Sequence, residues 1–184
     1  TILFADIRGF TTFSEQQTPA GLVAVLNRYL AAGAEAVLAQ EGTVDKFLGD
    51  AVMAWFNAPI PQPDHALRAV RAALGIRSAV ERLKKHIPEK YQLSFGAGIH
   101  YGEAILGLVG TEQRLEYTAI GDSINTAKRI QENAAAGQIL ISEAAYRLVY
   151  QDVLAEPLQK ILVKGRRSPV CVYEITGLKS RPGH

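Results

Sequence analysis

Two stretches of helical periodicity, each followed by a pair of strand-like runs, restrict this chain more than any other feature of its sequence. The first stretch carries Leu22, Val25, Leu26, Tyr29, Leu30, Gly33, Ala36 and Val37, spaced to build one apolar helical face. Pro19 stands near its start and Glu41-Gly42 stops it,. The second carries Ala66, Leu67, Val70, Ala73, Leu74, Ile76, Val80 and Leu83, with Asp64 placed to cap it and Pro88 beyond its end,. A short apolar run at residues 1–5 reads as a buried strand that Asp6-Ile7-Arg8-Gly9 ends. Thr43–Leu48 and Ala51–Phe56 read as strands joined by a Gly49-Asp50 turn,. Tyr91–His100 and Glu103–Val109 read as a further pair around Tyr101-Gly102.

The order β-α-ββ-α-ββ predicts an α+β fold with a ferredoxin-like βαββαβ core, a largely antiparallel sheet and helices on one face. A polar stretch, Thr111–Glu116, then leads through Tyr117–Gly121 to a third helix over residues 122–134. A small α/β extension closes the chain. It comprises a strand at Gln138–Ile141, a helix at Glu143–Tyr150, and a hairpin of Ile161–Val163 with Val170–Ile175 around Lys164-Gly165-Arg166-Arg167. The tail after Gly177 is expected to fray. The whole, residues 1–184, suits one domain,.

Composition narrows the function classes. With 20 basic against 18 acidic residues, the net charge of +2 gives no footing for nucleic acid or an anionic membrane,. No unbroken apolar run approaches the ~20 residues of a membrane span. The single cysteine, Cys171, cannot form an internal disulfide and fits a reducing, cytoplasmic setting,. The chain opens directly on its first strand, as a catalytic fragment of a larger protein would, with regulatory or membrane modules elsewhere. P-loop and Gly-x-Ser-x-Gly signatures are missing, and His65, His86, His100 and His184 lack metal-ligand spacing,.

Several polar residues remain that chemistry can use, each with an ordinary structural alternative. Asp6 ends a strand beside a glycine turn, where a carboxylate can hold a hard cation and backbone N–H groups can face phosphate. Asp50 lies in a turn between neighbouring strands, and two such aspartates can share two metal ions; Gly-Asp is equally a common hairpin turn. Asn125 and Arg129, four residues apart, share a helix face. An arginine there can stabilise charge developing at phosphorus, or merely be a polar flank. Lys164 in its basic hairpin is a phosphate contact or an edge-protecting charge, and Lys46 in its apolar run is read in the same way.

Taken together, three segments change the weighing. Phe4-Ala5-Asp6-Ile7-Arg8-Gly9-Phe10-Thr11, Asp45-Lys46-Phe47-Leu48-Gly49-Asp50 and the run Tyr117–Arg129 resemble the class III adenylyl and guanylyl cyclase catalytic domain in order and spacing. Val163-Lys164-Gly165 resembles its C-terminal signature, and the likeness covers essentially the whole chain. The resemblance implies a cyclisation of ATP to 3′,5′-cyclic AMP and pyrophosphate. Asp6, Asp50 and the Ile7 carbonyl would hold two Mg²⁺, for which Mn²⁺ can substitute. Phe10 and Thr11 would offer backbone N–H groups to phosphate, and Lys164, with Arg114, would add phosphate contacts. Asn125 would orient the ribose, and Arg129 would stabilise the transition state. Lys46 and Thr118 would read the base.

Lys46 is a donor only, which suits the adenine N1 acceptor and opposes the guanine N1–H. Thr118 stands where aspartate is commoner, and its hydroxyl both donates and accepts. Discrimination would therefore fall mainly on Lys46. Threonine here also resembles a subgroup with bicarbonate-responsive members. The family builds its sites across a dimer. Asp6 and Asp50 would come from one chain, and Lys46, Thr118, Asn125, Arg129 and Lys164 from the other, so a homodimer is implied. The alternatives are a guanylate cyclase and a regulatory module that binds nucleotide or bicarbonate without turnover. A diguanylate cyclase is disfavoured, because Leu48-Gly49-Asp50-Ala51-Val52 stands where its Gly-Gly-Asp/Glu-Glu-Phe hairpin would be.

Overall fold

Strand β1 (Ile2–Arg8) lies at the heart of the sheet because five of its seven side chains are buried. A computed structural model describes residues 1–158, 160–161 and 169–180. After β1 come a short helix α1 (Phe10–Glu15), the long helix α2 (Pro19–Leu38), and strands β2 (Thr43–Leu48) and β3 (Ala51–Trp55). Helix α3 (His65–Lys84) and strand β4 (Ser94–His100) complete the first half. Strands β5 (Ile105–Thr111) and β6 (Arg114–Ile120), helix α4 (Asp122–Glu132), strand β7 (Ile139–Ser142), helix α5 (Glu143–Tyr146) and strands β8 (Val153–Pro157) and β9 (Val172–Leu178) follow.

The main sheet has the order β2-β3-β1-β4-β7-β9-β8. Its first four strands pair antiparallel in the expected ferredoxin-like arrangement. β7 joins β4 in parallel, a pairing that needs the α4 crossover,. Side chains alternate across β1. Leu3, Ala5 and Ile7 therefore enter the core that α2 and α3 cover, with Tyr29, Val37 and Ile76. Ile2 and Phe4 face the other side, with Met53, Trp55 and Ala127. Burying an apolar side chain of this size contributes about 1.5–3 kcal/mol.

Several expectations need correction. Helices cover both faces, because α4 packs opposite α2 and α3. It can lie close on β4 because Gly98 has no side chain: a Cβ there would collide with the Gln131 backbone nitrogen. Asp6 and Ile7 lie within β1 instead of ending it. The β4–β5 hairpin does not form. β5 instead pairs with β6 as a separate two-stranded ribbon, so the polar stretch 111–116 holds a turn and the start of a strand. Its charged residues hide the alternation that periodicity relies on. β9 pairs mainly with β8, and the expected hairpin keeps a bridge between Ile161 and Val170. Thr18 caps α2, its hydroxyl accepting from the Gly21 N–H at 3.3 Å. The Asp64 side chain caps nothing, because it accepts from Arg68 Nε at 2.6 Å. Helix α2 is also long and apolar enough, at mean hydropathy 1.3, to cross a membrane by composition. It packs here against α3 and the sheet through Tyr29, Leu30, Gly33 and Val37.

Candidate active site

Antiparallel pairing brings Asp6 level with Ala51, one residue past Asp50. The Ile7 N–H donates to the Asp50 carbonyl at 3.2 Å and ties the turn to β1. The two carboxyl groups consequently lie near enough to interact. Burial first, and then the nearby Asp50 carboxylate, push Asp6 up to about 6. Arg8 and the Gln131 carboxamide act the other way. Gln131 is 2% exposed, and its Nε2 reaches full hydrogen-bond geometry with no described protein group. Arg8 fixes the region by donating from Nη2 to the Gln131 carbonyl.

Such a pair suits a divalent cation. Two like-charged carboxylates held close together repel each other unless a proton or a cation lies between them. Both are oxygen donors, the class that hard ions prefer. No group of three His, Cys, Asp or Glu that would hold a metal occurs among the described residues. Most of a coordination shell must therefore come from backbone, water or a ligand's phosphates, which is the habit of Mg²⁺.

The segment expected to face phosphate follows directly. Gly9 at φ 78° turns the chain from β1 into α1, in a left-handed conformation that glycine adopts without strain,. The N–H groups of Phe10 and Thr11 open that helix, where amides lack intrahelical acceptors. On α4, Ser123, Thr126, Ala127, Ile130 and Gln131 are buried. Asn125 is exposed and Arg129 half-buried one turn later. Lys164 lies outside the described residues.

A second cluster lies beside β2. Lys46 Nζ donates to Glu116 Oε2 at 2.8 Å and lies 3.9 Å from Asp45 Oδ2. The Glu116 hydrogen bond is the main reason its ammonium is held above the usual lysine value. The Thr118 hydroxyl donates to Asp45 Oδ2 at 2.7 Å. Arg114, expected among the phosphate contacts, pairs with Glu116 at 3.1 Å. Asp45, Lys46, Phe47, Leu48, Arg114, Glu116 and Tyr117 line an open groove of about 660 Å³ that excludes Asp6 and Asp50. Among the expected residues, Asp6 with Asp50 and Lys46 with Thr118 and Arg114 thus form two groups within one chain, and Asn125 and Arg129 lie on α4. Asp45, Glu116 and Gln131 were not singled out from the sequence. Only Asp45, inside the quoted Asp45–Asp50 segment, carried a signal.

Residues 1–177 match the family described as the adenylate and guanylate cyclase catalytic domain. Adenylate cyclase 1 of Rhizobium meliloti is 36% identical over 185 residues, covering 97% of this chain and 27% of that protein. The chain thus spans about a quarter of that curated relative. The adenylyl cyclase CyaB from P. aeruginosa superposes with a TM-score of 0.91 at 34% identity, over 98% of this chain and 94% of that one. The guanylyl cyclase Cya2 superposes with 0.90 at 32% identity, over 97% and 91%.

Proposed function

This chain belongs to the adenylyl and guanylyl cyclase catalytic domain family, and from that premise we propose that it converts ATP to 3′,5′-cyclic AMP and pyrophosphate. Overall likeness does not choose the base, since an adenylyl and a guanylyl cyclase match almost equally well. The observation that carries the choice is local. Lys46, a donor, lines the groove, and Thr118 is tied to its neighbour Asp45 just beneath that lining; that pairing suits the adenine edge.

In this reading Asp6, Asp50 and the Ile7 carbonyl would hold two Mg²⁺ or Mn²⁺. Such ions, when bound, acidify the ribose 3′-hydroxyl and neutralise phosphate charge. The Phe10 and Thr11 amides and Lys164 hold the β- and γ-phosphates, and Arg114 is a further phosphate contact. Asn125 orients the ribose so that O3′ lines up with the α-phosphorus. The O3′–P bond forms, the bond to the bridging oxygen of pyrophosphate breaks, and the hydroxyl proton leaves to solvent. Arg129 stabilises the charge that grows on the α-phosphoryl oxygens. Positioning and electrostatics supply the rate, without a covalent enzyme intermediate.

A homodimer with composite sites fits the surface. Ile105 is 70% exposed, Leu108 67%, Leu115 54% and Phe47 49%. Apolar side chains concentrated on one ribbon and its neighbouring strand mark a contact surface. The deciding experiment measures cyclic AMP and cyclic GMP from ATP and GTP with Mg²⁺ or Mn²⁺, with and without bicarbonate. Cyclic AMP in excess is expected. A preference for GTP overturns the base assignment, and no product from either nucleotide leaves the non-catalytic regulatory module as the reading.

A further inference from the structure

Threonine is an ambiguous reader of a base because its hydroxyl can turn either way. In this chain the ambiguity is removed. β2 carries a bulge: Val44 pairs with Ala54 and Lys46 with Met53, leaving Asp45 without a partner on β3. A bulge sets two consecutive side chains toward one side of a strand. Here Asp45 reaches Thr118 and Lys46 reaches Glu116, both on β6. The Asp45 side chain is 1% exposed. Its Oδ2 accepts a hydrogen bond from the Thr118 hydroxyl at 2.7 Å, and its Oδ1 is buried without a partner among the described residues. Thr118 itself is 8% exposed.

We propose that Asp45 is a positioning residue for substrate selection: it accepts the only hydrogen bond the Thr118 hydroxyl can donate and so presents that oxygen to the base as an acceptor. The inference rests on the adenylate-cyclase reading and assigns the device that makes it selective. With its proton committed, Thr118 offers lone pairs alone. Adenine places a 6-amino donor at that edge, and guanine places the O6 acceptor there. Lys46, a fixed donor, faces the adenine N1 acceptor or the guanine N1–H. The pair then spells acceptor-donor, complementary to adenine at both points and mismatched to guanine at both. Thr118 therefore discriminates as a carboxylate would, and selectivity does not fall mainly on Lys46. The hydroxyl proton stays with Thr118, and no bond beyond hydrogen bonds changes.

The test compares kcat/KM for ATP and GTP in the purified chain and its variants. Asp45→Ala frees the hydroxyl to donate, so the ATP/GTP ratio should fall about tenfold, the lower end of what one buried mispairing is worth. Asp45→Asn keeps an acceptor oxygen at the same place and should hold the ratio within about threefold. In a Thr118→Val background, Asp45→Ala should shift the ratio no further, because the effect runs through the lost hydroxyl. An Asp45→Ala protein with an unchanged ratio overturns the proposal, as does an equal shift in the Thr118→Val background. A readout independent of Asp45 variants uses a purine triphosphate lacking the 6-amino group. The unaltered chain should lose about tenfold in kcat/KM relative to ATP and the Thr118→Val chain almost nothing; equal losses in both overturn the proposal. Failure of the underlying reading looks different, because the unaltered chain would then make no cyclic AMP or would prefer GTP, and the proposal would fall with it.

Discussion

Replacing Asp6 by asparagine should stabilise the metal-free protein while abolishing its activity. Burial first, and then Asp50, raise the Asp6 carboxyl from 3.8 to about 6. Two pK units correspond to about 3 kcal/mol. The group is only half-buried, and solvent screening reduces that figure to about 1–2 kcal/mol. The direction follows from linkage. The folded carboxyl holds its proton more tightly than the unfolded one, so this group favours the fold below about pH 4. That contribution is lost as pH rises through about 6, and the full penalty stands at pH 7.5. Asparagine cannot ionise and keeps an oxygen in the same place.

In EDTA at pH 7.5, thermal unfolding of Asp6→Asn should therefore lie about 2–8 °C above the unaltered chain, at 2–4 °C per kcal/mol for a domain of this size. At pH 5 the gain should shrink to about half. Saturating Mg²⁺ should reverse the order, because the ion stabilises only a chain that can bind it. Protein concentration must be held constant, since self-association also shifts the midpoint. An Asp6→Asn chain that melts lower in EDTA, or a gain that stays constant between pH 7.5 and pH 5, would refute the account of a repelling, partly desolvated pair.

Other expectations follow from the same geometry. Mixing Asp6→Ala with Arg129→Ala chains should restore cyclase activity that neither has alone. At full exchange half the dimers are mixed with one intact site each, about a quarter of all sites; no recovery despite verified mixing by mass spectrometry counts against a shared site. Gly98→Ala drives a methyl group into the Gln131 backbone and should cost about 3 kcal/mol or more in urea unfolding, whereas a cost under 1 kcal/mol would mean α4 does not seat on β4. Leu108→Asp on the exposed ribbon should weaken self-association at least about 100-fold by sedimentation, since a symmetric interface loses the contact twice; an unchanged sedimentation profile rejects the ribbon as the contact.

The legible parts of this fold were those whose periodicity is undiluted. α2, α3, β1, β3 and β4 each bury a continuous face, and apolar spacing alone places them. The order of the core strands follows from a short list of permitted connections. β6 was illegible because Arg114, Glu116 and Thr118 interrupt its apolar residues, and those three are spent on polar contacts with one another and with Lys46 and Asp45. Asp6 and Asp50 were visible as acids at strand ends, yet their approach depends on the β1–β3 register, which no local pattern encodes. Asp45 was harder still. Its role arises from a one-residue bulge, and a bulge leaves no trace in composition or spacing.

That pattern has an energetic counterpart. Three buried side-chain atoms lack hydrogen-bond partners among the described residues: Arg8 Nε, Asp45 Oδ1 and Gln131 Nε2. Arg8 and Gln131 flank the Asp6 carboxyl, and Asp45 lies under Thr118. Each orphaned group costs about 1–3 kcal/mol, so a sequence shaped for stability alone would have replaced them with apolar residues. Their restriction to the two candidate subsites, beside a carboxyl pair whose charges are unrelieved, concentrates destabilisation where a charged nucleotide and cations would offset it. The rest of the core, from Tyr29 to Ile175, is apolar, and its one buried phenol, Tyr29, is fully partnered by the Tyr91 carbonyl and the Leu93 N–H. The domain should therefore gain much of its final stability on binding substrate, and the metal-free chain is the form in which substitutions at the site raise the melting temperature instead of lowering it.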